Sequence, residues 1–113
     1  MKTKLDVYQK SDRKLMLGNL ELVGGKVFYY ANMGITIVMR PTFKGSKTLM
    51  VSVSIAASTE PKYSRKIGEF FALEHMNCGS FLTVPFCGDS RNPDQTWEEY
   101  AWGYAELLHK WRI

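Results

Sequence analysis

The chain has 113 residues, is 45% hydrophobic and 13% aromatic, and carries a formal net charge of +4. That size and apolar content exclude a disordered chain and a two-domain one, because each half would be too small to close a core. Two cysteines exclude a disulfide framework, no segment has the ~18 consecutive apolar residues of a membrane span, and the N-terminal MKTKLDVYQK lacks the apolar centre of a secretory signal. A single cytoplasmic domain over 1–113, with no membrane association, is therefore expected.

The charge divides unevenly. Residues 1–59 hold nine Lys/Arg against three Asp/Glu, and residues 60–113 hold six against eight. A basic first half and a mildly acidic second half bear on solubility and on the steering of partners. They also permit head-to-tail or two-fold self-association.

The basic half, 1–59, reads as strands. KLDVYQ sets Leu5 and Val7 on one face, and Ser11-Asp12 offers a turn. KLMLGNLELV alternates through Leu15 and Leu17, then shifts phase to Leu20 and Leu22 across Gly18-Asn19, the pattern a β-bulge produces. Gly24-Gly25 suits a tight hairpin, with KVFYYAN as the return strand. ITIVMR directs Ile35, Ile37 and Met39 one way and ends at Pro41. TLMVSVSIA alternates most regularly, with Leu49, Val51, Val53 and Ile55 inward and Met50, Ser52 and Ser54 outward. About five short strands with no helix between them predict an antiparallel meander.

The acidic half, 60–113, reads mainly as helices. The first opens near Pro61 and stops at Gly79, with Tyr63, Ile67, Phe70 and Phe71 as its apolar face. A short strand, SFLTVPF, crosses the core. The last helix is expected to start at Thr96, which with Glu99 has the spacing of a capping box. Trp97, Tyr100, Ala101, Tyr104, Leu108 and Trp111 recur at helical spacing as its core stripe. The expected fold class is thus α+β: a meander, then helix, short strand, helix, with the helices packed on one face of the sheet.

The stretch HMNCGSFLTVPFCGD gathers His75, Cys78, Cys87 and Asp89. Zinc takes such ligands, but its structural sites pair them in short knuckles, whereas eight residues separate these two cysteines. No metal and no cofactor are expected. His75 beside Cys78 would make a thiol nucleophile only with a carboxylate to orient the imidazole, and Glu74, adjacent on the helix, points elsewhere. Glu74 itself falls within the expected apolar face, where a carboxylate needs a partner. A small thiol- or carboxylate-dependent enzyme is one reading of these residues; the expectation is that the protein is not an enzyme.

The loop RPTFKGSK places Arg40, Lys44 and Lys47 around Phe43 at a hairpin tip, and KVFYY adds Lys26 and Tyr29. Cations neutralise phosphates while exposed rings stack on bases, so these six residues are the candidate contact with nucleic acid or a nucleoprotein complex. On the last helix Trp102, His109 and Glu98 lie off the core stripe, and a tryptophan so placed suits a protein interface. The leading expectation is a non-catalytic binder of nucleic acid. Its alternative is a small protein-binding inhibitor or adaptor of the mobile-element or phage accessory kind, acting against host or defence machinery.

Overall fold

A computed structural model describes residues 7–43, 46–56, 64–85 and 93–112. The elements run α1 (Val7–Leu22), β1 (Lys26–Tyr30), β2 (Ile35–Pro41), β3 (Thr48–Ile55), α2 (Arg65–Asn77), β4 (Leu82–Pro85) and α3 (Pro93–Arg112). The fold is α+β. Four antiparallel strands stand in the order β1-β2-β3-β4, and three helices pack against them. None of the described helices is long and apolar enough to cross a membrane.

Among the described residues the strand count is four, because the first segment is helical. In a helix, Leu15 and Leu17 cannot share a face, nor can Leu20 and Leu22. The structure exposes Leu15 and Leu22 and turns Met16, Leu17 and Leu20 toward the core. With Arg13, these residues follow the i, i+3, i+4, i+7 spacing of one helical face. The phase shift at Gly18 reflects that spacing and no bulge. Gly24-Gly25 caps this helix instead of turning a hairpin. Gly24 N–H donates to the Glu21 carbonyl (3.1 Å) and Gly25 N–H to the Leu20 carbonyl (2.9 Å), the paired bonds that close a helix through a left-handed residue. Gly24 has φ 78°.

The register pairs Phe28 with Ile37 and Ile37 with Val53, while Val27 pairs with Val38 and Val38 with Ser52. Successive side chains alternate between faces, so the sheet has two buried sides. Ile35, Ile37, Met39, Leu49 and Val51 pack with Ala101 and Ala105 of α3. Val38 packs with Leu20 of α1 and with Ala72, Leu73 and Met76 of α2. The helices therefore occupy both faces, not one. The side of β3 expected to face outward is covered too: Ser52 is buried and its hydroxyl donates to the Ala72 carbonyl at 2.7 Å.

Two further boundaries differ from expectation. Ser64 caps α2, accepting from Ile67 N–H at 3.3 Å, and packing on Val38 and Leu20 selects a buried stripe of Glu69, Phe70, Ala72, Leu73 and Met76. Helix α3 opens at Pro93, where the missing N–H costs nothing, so Thr96 lies inside it and is not its cap. The strand β4 does not cross the core. It is a short edge strand paired with residues 48–51 of β3, and Leu82 on it is exposed.

Candidate functional site

In the HMNCG stretch His75 is tied to the sheet and Cys78 lies at the surface. The His75 imidazole Nδ1 lies 2.8 Å from the Val53 carbonyl; a carbonyl only accepts, so Nδ1 carries the hydrogen. That bond occupies a carbonyl on β3 beyond the residues paired with β4. Cys78 is exposed, with Sγ 3.6 Å from the His75 carbonyl and from Ser80 Oγ. Cys87 and Asp89 lie outside the described residues. Among the described residues no group of three His, Cys, Asp or Glu is placed to hold a metal ion.

The buried carboxylate is Glu69, not Glu74, which is exposed. Glu69 receives hydrogen bonds from Arg13 of α1 and from the Tyr29 hydroxyl of β1. The Arg65 guanidinium covers the Tyr29 ring, 4.1 Å from its centroid. Both oxygens of the acid are thereby engaged with cationic or phenolic donors that tie three elements together, which is the arrangement a buried carboxylate requires.

The strands bring the basic candidates to one end of the sheet. Lys26 begins β1, Arg40 stands near the end of β2, and Phe43 and Lys47 belong to the following hairpin. Phe43 is 66% exposed. Arg40 curls over its own loop, donating through Nε to the Pro41 carbonyl (3.1 Å) and through an Nη to the Thr42 carbonyl (3.4 Å). Lys44 lies outside the described residues. Tyr29 does not join this group: it pairs with Thr36, away from the hairpin end, and its hydroxyl and ring are held by Glu69 and Arg65.

Helix α3 presents two distinct flanks. Ala101 and Ala105 are fully buried, so side chains on either side of that line rise from the sheet. On one flank Trp102 meets Tyr30 edge to face, ring centroids 5.5 Å apart and planes at 63°. Tyr30, Trp102, Glu98 and Glu99 line a pocket of about 320 Å³. The Tyr30 hydroxyl oxygen is buried and has no hydrogen-bond partner among the described residues. Burial, and secondarily the Glu98 charge, push this phenol up to about 12. Of the three interface candidates, Glu98 and Trp102 come together here. His109 does not line the pocket; its Nδ1 is buried without a partner among the described residues. Tyr30 and Glu99 were not anticipated, because the pairing of β1 with α3 is a tertiary contact without a local sequence signal.

The opposite flank departs from the expected core stripe. Tyr100 and Trp111, both expected in that stripe, are 39% and 83% exposed, and Leu107, outside it, is 53% exposed. Tyr104, between them on the same flank, lines a second cleft of about 360 Å³ with Val53, Gly79, Phe81 and Leu82. Burial, and then the neighbouring Tyr100, raise the Tyr104 phenol above its ordinary value. Tyr104 thus joins the exposed flank of α3 to the β4 edge.

No family model, curated protein or solved structure matches this chain.

Proposed function

We propose that this protein works by binding another protein, through the flank of α3 that carries Tyr100, Tyr104, Leu107 and Trp111 and the adjoining β4 edge. The observation that carries this reading is the exposure of Trp111 and Leu107, 83% and 53%, one helical turn apart on the same face. Large apolar side chains gathered on one surface leave unfavourable contact with water that a partner relieves, and tryptophan and tyrosine supply much of the energy of such contacts. The adjoining cleft at Tyr104 and Leu82 offers a recess for a partner's side chain. An adaptor or inhibitor needs no chemistry beyond this, since covering a partner's surface is itself an action.

The test is cross-linking capture with the wild type, the double variant Leu107→Ser/Trp111→Ser, and Lys47→Glu. Loss of the captured protein in the double variant and its retention in Lys47→Glu is the expected pattern. The reverse pattern would sink this reading. Light scattering of the wild type over a concentration series distinguishes a second copy of the chain from a different partner.

A second reading, nucleic-acid binding, rests on Phe43, exposed in the hairpin beside Lys47 and near Arg40 and Lys26. It requires affinity for DNA or RNA that falls steeply with salt, as phosphate contacts release counterions. A gel shift at low ionic strength without retardation removes it.

A further inference from the structure

The pocket on the other flank of α3 has a chemistry of its own. Trp102 lies five residues before Leu107, about 140° around the helix axis at roughly 100° per residue, so the pocket is separate from the surface proposed for protein docking. Its walls are two aromatic rings set at a steep angle, and its polar side chains are Glu98 and Glu99.

We propose that this pocket binds an organic cation, an alkylammonium head, between the Tyr30 and Trp102 rings. Ring faces carry negative quadrupolar charge and attract cations, tryptophan most strongly. Two carboxylates disfavour an anionic ligand and reward a cationic one. An ammonium is a donor with no acceptor, whereas a carboxylate offers only acceptors. The volume, about 320 Å³, lies at the small end of ligand clefts, which suits a short alkyl chain with a charged end.

The same head can arrive as a free amine or as the side chain of a lysine on a polypeptide. The probes are therefore butylammonium, Nα-acetyl-lysine methylamide, and its Nζ-acetylated neutral counterpart, each titrated while the Trp102 indole N–H resonance is followed. That resonance is assigned by its disappearance in Trp102→Phe. Both cations should give saturable shifts, and the neutral counterpart none. Glu98→Gln/Glu99→Gln, exposed positions whose change leaves the core intact, should weaken cation binding at least tenfold, and Tyr30→Phe, which keeps the ring and removes only a buried hydroxyl, should leave it unchanged. Equal affinity for the two cations supports recognition of the head alone. Tighter binding of the lysine amide supports a polypeptide source. No saturable shift with either cation, an equal response to the neutral counterpart, or full binding by the double glutamine variant overturns the proposal. These outcomes do not depend on Leu107 or Trp111, so the proposal and the protein-docking reading fail separately.

Discussion

Arg13 of α1 and Glu69 of α2 form an ion pair around a carboxylate that is only 4% exposed. The Tyr29 hydroxyl donates to the second oxygen of the same acid, so one buried charge links both helices to β1. Removing one partner of such a pair leaves the other uncompensated and costs about 3–5 kcal/mol, a large share of the roughly 5–15 kcal/mol that holds a domain folded. Glu69→Ala should show that loss in urea unfolding. The triple change Arg13→Met, Tyr29→Phe, Glu69→Leu should recover most of it, because an apolar set of similar shape leaves no orphaned polar group. A Glu69→Ala protein within about 1 kcal/mol of wild type would mean that water already screens the pair.

The two glycines after α1 do different work. Gly24 has a positive φ, 78°, with open space where a Cβ would stand. A Cβ on Gly25 would lie 2.4 Å from Leu20 Cδ1 and 2.9 Å from the Met39 carbonyl oxygen. Gly24→Ala meets only backbone strain, about 1 kcal/mol. Gly25→Ala must displace a core leucine and a strand carbonyl, an overpacking cost of about 1–3 kcal/mol. Thermal unfolding should rank Gly25→Ala below Gly24→Ala, and the opposite order would place the strain at the cap.

Ser52 on β3 stands against Ala72 on α2, with its hydroxyl on the Ala72 carbonyl at 2.7 Å. Both residues are buried, so the helix backbone comes close to the sheet there. Ser52→Ala removes one hydrogen bond, about 0.5–1.5 kcal/mol. Ser52→Leu inserts volume where α2 leaves little space and should destabilise by more, about 1–3 kcal/mol or above. Urea midpoints of the two variants decide it, and equal midpoints would mean that α2 yields freely.

What the sequence made legible follows from where the signal is local. The alternation of Ile35, Ile37 and Met39, and of Leu49, Val51 and Val53, located β2 and β3 because a period of two needs no tertiary knowledge. The Gly79 stop held for the same reason: a left-handed residue ends α2, with Ser80 N–H donating to the His75 carbonyl at 2.8 Å. Helix α1 was misread because Leu15, Leu17, Leu20 and Leu22 fit a broken alternation as well as a helix, and the face that decides between them depends on what α2 covers. Ser52 looked solvent-facing because a sheet covered on both sides can still alternate in polarity. Glu69 was overlooked in favour of Glu74 because the face of α2 that is buried is set by its packing on Val38 and Leu20, which no spacing within the helix reveals. At the candidate sites, Trp102 and Glu98 could be picked as neighbours on one helix. Tyr30, Glu99 and the exposure of Trp111 depend on how α3 lies on the sheet, which no spacing reveals.

The position of Tyr30 beside Glu98 has a consequence for alkaline stability. Its phenol is raised from the ordinary value of 10.0 to about 12, first by burial and second by the Glu98 charge. A raised native value means that the folded protein holds this proton more tightly than the unfolded chain. The associated stability is fully present below pH about 10 and is lost as pH rises toward and through about 12. Tyr30→Phe should therefore flatten the decline in urea-unfolding stability over that window, when compared with wild type at matched pH. Glu98→Gln should bring the phenolate absorbance transition to lower pH yet leave it above the ordinary phenol range, since the larger cause remains. If Glu98→Gln returned Tyr30 fully to that range, charge and not burial would be the dominant cause, and the pocket floor would be wetter than its buried hydroxyl indicates.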